Sequence, residues 1–530
     1  MKGTMRLDEE ILRRRTFAVV SHPDAGKTTL TEKLLLFGGA INVAGAVKSN
    51  KIRKTATSDF MEIEKQRGIS VATAVMGFEY AGKKINILDT PGHQDFAEDT
   101  YRTLTAVDSV IIVIDAARGV EIQTRKLMEV CRMRKTPVMV FFNKMDRPAR
   151  DPLELVDEVE KELQIRVNPL TWPVGEGSGF RGIYNRLDRT FRSFHGISKQ
   201  TIGELREYND IHDETFIQNM GPHGKRFLED LELLKGVYGE PGPGGYLDGD
   251  VAPLFFGSAL NNFGVKELLD FFLHLAPSPG PVQTEERVIV PSEDRFAGFV
   301  FKIHANMDPN HRDRIAFIKI ASGRFQRNKI YTHVRTGRKL KFSNPTSFMA
   351  EKKSVIDEAY PGDIVGVHDT GNFKIGDAVT EGEKLHFRGI PSFSPEQFRY
   401  VENADPMKFK QLARGLDQLM DEGVAQLFVS KSNGRKIIGT VGALQLDVIR
   451  YRLEHEYGAT CSYEPISMHK ACWIRAEDED QLEEFRKRKH HQLALDKEAR
   501  EVYMAESSYA LQMAREKFPG IRFHFSSEFR

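Results

Sequence analysis

Cysteine is scarce in this 530-residue chain: Cys131, Cys461 and Cys472 are the only three. They show no metal-ligand spacing, which excludes a disulfide scaffold or a cysteine zinc site and reads as three packing thiols in a reducing, cytoplasmic setting. Long apolar runs are missing too. No stretch reaches the roughly 18 to 20 consecutive apolar residues a membrane-spanning helix requires, and the charged amino terminus leads into no apolar core or cleavage site of a secretory signal. No membrane association is expected. Net charge is close to zero, at +1, so contact with nucleic acid has to rest on local patches. The densest positive run is Arg486-Lys487-Arg488-Lys489-His490-His491, readable as a solvated face or as a phosphate contact; Arg13-Arg14-Arg15 reads as a solvated face.

Apolar residues make up 40% and charged residues 28%, the balance of a globular protein. The length exceeds what one core holds and implies three or more domains. Up to about residue 145, apolar strands alternate with amphipathic helices, which predicts a doubly wound, mostly parallel α/β domain. Val71–Tyr80 and Lys84–Asp89, joined through Ala81-Gly82, form its one antiparallel hairpin. Residues 147–252 read as an insertion, with helices at 152–163 and 228–234, a Gly-rich piece at 175–179 and a loop at 240–245. The linker Ala276-Pro277-Ser278-Pro279-Gly280-Pro281 ends this first domain, 1–280. Within 281–390, short strand-like runs at 297–303, 314–320, 329–334, 339–342 and 363–367 suggest a small all-β barrel, with a sandwich as the alternative. Within 391–530, helices at 407–422 and 441–457 and strands at 425–430 and 458–463 predict an α+β domain. Leu446, Ile449, Leu453 and Tyr457 share one helix face, a buried stripe rather than a catalytic set.

Five segments then describe a guanine-nucleotide pocket. Ser21-His22-Pro23-Asp24-Ala25-Gly26-Lys27-Thr28 follows an apolar strand and precedes a helix entered through Thr29, the context of a phosphate-binding P-loop, although Ser21 stands where the strict pattern has Gly. Its backbone N–H groups and helix N-terminus suit phosphate; Lys27 would reach the β and γ phosphates and the Thr28 hydroxyl Mg²⁺. Asp89, at the end of a strand, is the second Mg²⁺ partner, and Thr90-Pro91-Gly92 is a Gly-dependent bend that lets the Gly92 N–H face a γ-phosphate. His93 after that bend is placed to orient an attacking water. Ser70, after Arg67-Gly68-Ile69, offers Mg²⁺ a hydroxyl only while the γ-phosphate is present, which makes that stretch a switch. Asn143-Lys144-Met145-Asp146 selects the base: a carboxylate accepts from both N1–H and the 2-amino group of guanine, neither of which adenine has. Asn143 braces the loops, Lys144 lies along the nucleotide, and Ser258-Ala259 supplies a backbone donor for guanine O6, Leu260 being the last residue of that GTP-binding segment. No arginine inside these motifs is placed to act on the phosphates.

These segments resemble the translational GTPases, elongation factor G among them, and over its whole length the chain is similar to the release factor 3 family. The resemblance implies a GTP/GDP and Mg²⁺ site, a barrel after the GTPase domain, and Ile69 and Pro23 flanking His93 as an apolar gate. It implies Asp24 facing the β–γ bridge as a further catalytic group beside His93 and Lys27. It also implies the ribosome as the partner that places His93, codon-reading release factors as the proteins displaced after peptide release, and a monomer. Elongation factor G continues for two domains beyond the point where this sequence stops, which favours a recycling role over translocation. Two alternatives remain: another ribosome-associated factor of the elongation type, and a guanine-nucleotide sensor that does not require hydrolysis.

Overall fold

The computed structural model describes residues 6–40, 64, 70–194, 205–242, 244–305, 314–349, 352–388 and 394–527. In the first module the strands run β1 (Arg14–Ser21), β2 (Ala74–Tyr80), β3 (Lys83–Asp89), β4 (Ser109–Asp115), β5 (Val138–Asn143), β6 (Arg166–Pro169), β7 (Thr171–Val174), β8 (Gly182–Asn185), β9 (Thr190–Phe194), β10 (Leu205–Tyr208) and β11 (Val251–Phe256). The main sheet has the order β2-β3-β1-β4-β5-β11-β6. All its pairs are parallel except the β2–β3 hairpin. The hairpin turns through Ala81 and Gly82, both with positive φ, the geometry a two-residue turn between twisted strands demands. Strands β4 and β5 are buried at every position, as expected where helices cover both faces.

The stretch anticipated as an insertion divides in two. The helix Pro152–Leu163 and β6 belong to the main sheet, β6 pairing in parallel with β11. The added element is narrower: a four-stranded antiparallel sheet β7-β8-β9-β10 with the helices Glu214–Met220 and Pro222–Tyr238. Trp172, Phe191, Phe216 and Phe227 pack it onto the main core.

Past the proline-rich segment, antiparallel strands including Ala297–Ala305, Arg314–Ser322, Ile330–His333, Ile364–His368 and Ala378–Thr380 enclose one core built on Phe296, Val300, Ile318, Tyr331 and Val365. These strands follow one another in a single hydrogen-bonded sheet around that core, the arrangement of a barrel-like module rather than of two separate facing sheets. Elements too short to be legible in the sequence complete it, such as Phe325–Gln326 paired with Glu358–Ala359.

The carboxy-terminal part is an α+β region with an internal duplication. Gln397–Asn403, helix Phe409–Asp421, Gln426–Ser430, Lys436–Thr440, helix Ala443–Tyr457 and Cys461–Pro465 form a βαββαβ unit whose strands lie in the order fourth, first, third, second. Lys470–Ala476, helix Glu479–Arg488, Leu493–Leu495, Glu501–Ala505, helix Ser508–Lys517 and Ile521–His524 repeat the pattern in mirror order. The two join through their second strands, Val429 opposite Leu495, into one eight-stranded sheet. Leu446, Ile449 and Leu453 are buried beneath the first unit's helices, as their spacing implied.

The two positive runs differ in their surroundings. Arg486 to Arg488 do sit on an exposed helix end, but Lys487 and Arg488 each face a Glu one turn earlier, and Arg486 is held by Glu501 and Glu479. Arg13-Arg14-Arg15, in contrast, is not a solvated face. Arg14 and Arg15 are buried. Arg14 lies 2.8 Å from Asp363 of the barrel module, Lys84 is 3.0 Å from the same carboxylate, and the Arg14 guanidinium covers the Tyr360 ring.

Burial alone would raise the Asp363 carboxyl, but Lys84, Arg14 and the Tyr360 N–H together pull it down to about 2. A carboxyl lower in the folded than in the unfolded state adds stability that is complete above the unfolded value near 4 and is lost as pH falls toward 2. Asp363→Asn leaves the buried Arg14 with Glu10 alone and the half-buried Lys84 without this counter-charge, and is expected to destabilise the chain by about 2 to 3 kcal/mol at neutral pH. Thermal melts should show the deficit at pH 7 and a smaller one near pH 3; equal deficits at both would refute the linkage.

Candidate functional site

The P-loop joins β1 to the helix Lys27–Phe37. Gly26 has φ +95°, and a Cβ there would fall 2.3 Å from the Asn143 amide, so the position requires glycine on both counts. Asp24 adopts the left-handed region as well, with φ +64°. Ser21 does not, which explains why a residue other than glycine is accepted at the head of the loop. No side chain caps the helix. The first-turn N–H groups of Lys27, Thr28 and Thr29 are therefore available to an anion, with the helix dipole behind them. His22 turns the other way, 3.2 Å from Glu121.

Lys27 and Asp89 meet across the loop as a buried ion pair. Thr31, one turn past Lys27, donates to the same Asp89 oxygen at 3.2 Å. The other oxygen, Oδ2, is buried and has no partner. An unpaired buried carboxylate oxygen is costly, and a Mg²⁺ ion with its water shell is the group this donor set fits, with the Thr28 hydroxyl as the second protein ligand. Ser70 is half-buried at the approach to β2. Arg67, Gly68 and Ile69 lie outside the described residues, so the apolar gate is represented by Pro23 alone.

The bend after Asp89 packs on the P-loop. A Cβ on Gly92 would stand 3.6 Å from Pro23 Cα, an ordinary contact, and Gly92 has no positive φ. The anticipated dependence of this bend on glycine is thus not required by the protein's own packing. Thr90 fixes the strand end instead, its hydroxyl donating to Val19 O at 2.9 Å. His93, about one-third exposed, caps the short helical turn Gln94–Phe96, its Nδ1 accepting the Asp95 N–H at 3.3 Å.

On the base side, Asn143 ties three loops together. Its Nδ2 donates to Ala25 O at 2.9 Å, and its Oδ1 accepts from Lys144 N at 2.9 Å and Ala259 N at 2.8 Å. That last bond corrects one expectation: the Ala259 N–H braces Asn143 rather than facing a base. Asp146 is held by the Ser258 hydroxyl at 2.5 Å. Lys144, with φ +71°, stretches over the P-loop to Asp24 O and pairs with Asp115 at 2.7 Å. Neither Asp115 nor Thr31 was singled out from sequence. A signal existed for each: Asp115 ends β4 as Asp89 ends β3, in register with Asn143 on β5, and Thr31 is four residues past Lys27.

The helix Ala97–Leu104, directly after the bend, touches both other modules. Asp99 is 3.0 Å from Lys302 of the barrel, Arg102 donates to Gly423 O at 2.7 Å, and Gln426 donates to Glu98 at 2.9 Å. Burial opposes ionisation of Asp99, yet Lys302 and Thr73 outweigh it and lower its carboxyl. A small cavity of about 30 Å³ lies at this junction, lined by Val71, Phe96, Lys302, Glu422 and Arg452 among others. It sits behind the bend, away from the P-loop.

Comparisons with known proteins agree with this geometry. The family described as elongation factor Tu GTP binding domain matches residues 12–278, half of the chain. Elongation factor G domain 2 matches 295–382, and the C-terminal domain of class II release factor RF3 matches 387–515. A crystal structure from Thermus thermophilus is similar in fold, with a TM-score of 0.69 at 23% identity over 88% of this chain and 70% of that one. No helix among the described residues is long and apolar enough to cross a membrane. The chain belongs to the elongation factor Tu GTP-binding domain family and is a translational GTPase of the release factor 3 type.

Proposed function

We propose that this protein binds the ribosome in translation termination and uses GTP to promote dissociation of codon-reading peptide release factors, acting in the cytoplasm as a monomer. The observation that carries this reading is the match of 387–515 to the release factor C-terminal domain, in a chain whose residues 12–278 match a GTP binding domain. The same reading divides the chain into three modules with boundaries near residues 280 and 390.

In the pocket, Lys27 and the N–H groups of Gly26, Lys27, Thr28 and Thr29 hold the phosphates, while Asp146 reads guanine. Asp24 faces the bridge between the β and γ phosphates. Thr28, Asp89 and, in the triphosphate state, Ser70 would hold Mg²⁺, which would neutralise phosphate charge. His93 orients the attacking water from the bend, with the Gly92 N–H toward the γ-phosphate. Hydrolysis of this kind depends mainly on positioning and electrostatics. With no arginine inside these motifs placed to act on the phosphates, intrinsic turnover is slow and ribosomes accelerate it. The helix Ala97–Leu104 carries a change at the bend to the other two modules through Lys302, Gly423 and Gln426.

The test is GTP turnover with ribosomes paused at a stop codon, with and without a bound codon-reading factor, together with the rate at which that factor leaves. Turnover is expected to rise by about a hundredfold or more over the free protein, in line with in-trans activation of related phosphoryl transfer, and factor release is expected to follow GTP. Equal turnover with and without ribosomes would reject the proposal.

A further inference from the structure

Asp95 lies two residues past the bend and is buried although its neighbour Gln94 is exposed. Its carboxylate faces two ways. Oδ1 is 3.2 Å from His93 Nδ1, and Oδ2 accepts the Leu444 N–H at 2.8 Å. Leu444 is in the first turn of the helix Ala443–Tyr457, an end whose N–H groups favour a carboxylate. That helix begins at Gly442, where a Cβ would fall 2.0 Å from Asp95 Cγ. Next to Asp95, Phe96 packs against Val448 of the same helix and against Val71. The bend that carries His93 and the first helix-entry turn of the carboxy-terminal region are therefore one packed unit.

We propose that Asp95 is a positioning residue for GTP hydrolysis: it fixes the His93 ring through Nδ1, leaving Nε2 toward the reacting water, and it does so only while the helix Ala443–Tyr457 is seated on its carboxylate. This rests on the role given to His93 above. With Nδ1 protonated the ring donates to the Asp95 carboxylate, whereas unprotonated Nδ1 accepts the Asp95 N–H, so the carboxylate fixes the ring in its Nδ1–H form. Movement of the carboxy-terminal helix withdraws the carboxylate and releases the ring without any change in the nucleotide pocket.

The experiment is a double-mutant cycle on the full chain with saturating ribosomes, reading GTP hydrolysis, KM for GTP and GDP affinity. The variants are Asp95→Asn, which keeps an acceptor for Leu444 but removes the charge, Gly442→Ala, which wedges the helix off Asp95, His93→Ala, and the two doubles with His93→Ala. Asp95→Asn and Gly442→Ala are each expected to lower kcat by about 10- to 100-fold, with KM and GDP affinity unchanged. In the His93→Ala background neither lowers it further, because both act through the ring. Losses that multiply with His93→Ala, or that appear as weaker nucleotide binding, would overturn the positioning role. Normal rates for Asp95→Asn and Gly442→Ala beside a slow His93→Ala would overturn it while leaving the His93 reading intact. A normal rate for His93→Ala would overturn both. If Gly442→Ala fails to fold, the isosteric Asp95→Asn and its double decide the question alone.

Discussion

Asp146→Asn is expected to lose affinity for GTP by about a thousandfold and to gain xanthosine triphosphate in return. The carboxylate presents two acceptors to two guanine donors, N1–H and the 2-amino group. An amide presents one acceptor and one donor, so its NH₂ meets the guanine amino group donor to donor, and a site built around a hydrogen bond rejects a ligand that leaves it unmade by several orders of magnitude. Xanthine has a carbonyl at the same position and restores the match. The rest of the pocket should survive, since Ser258 holds Asp146 through Oδ1 and an amide oxygen can accept the same bond. Displacement of a fluorescent GDP analogue by GTP and by the xanthine nucleotide measures the exchange. Unchanged GTP affinity would place the base elsewhere.

Lys27→Ala is the second large effect. The Lys27 ammonium is buried against Asp89, with Thr31 on the same carboxylate oxygen. A triphosphate takes the ammonium over to its own oxygens, and charge-assisted bonds of this kind are among the strongest available. Removing the lysine takes away that contact and leaves a buried carboxylate with only a hydroxyl partner. We expect GTP affinity to fall by about a thousandfold or more and the nucleotide-free chain to lose about 3 kcal/mol of stability. Lys27→Arg keeps the charge, so it should recover stability more fully than binding, because a planar guanidinium does not fit the space of an ammonium. Titration calorimetry and thermal melts separate the two losses. Wild-type binding by Lys27→Ala would remove this loop from phosphate recognition.

The nucleotide pocket was legible in the sequence because its parts are local. A P-loop is a contiguous run whose glycine and lysine have to follow a strand and open a helix, and Gly26 and Lys27 do so. The two-residue turn at Ala81-Gly82 and the helix Pro152–Leu163 were equally local, the helix opened by the side chain of Asp151. What stayed hidden is what spacing along the chain cannot encode. Lys144 reaches Asp115 only because β4 and β5 pair with Asp115 beside Asn143. The Ala259 N–H goes to Asn143 and not to a base because two loops far apart in sequence meet there. Arg14 looked solvated because a triplet of arginines usually is; its partners, Asp363 and Tyr360, are distant in sequence and meet it only across the contact between two modules.

The doubled βαββαβ unit escaped notice for a related reason. Its repeat lies in strand order and helix placement, not in residue identity, so two dissimilar stretches build the same sheet in mirror order and share an inner core of Phe398, Phe428, Trp473 and Val502. The ligand class and the helix faces followed from residue type, motif order and short-range period, since backbone angles and amphipathic stripes are set within a few residues; the family followed from the resemblance those motifs carry. Which modules touch, which charges are buried, and that Asp95 joins His93 to the helix at Leu444 were decided only when the chain packed, because burial and ion pairing depend on neighbours that sequence separation does not reveal.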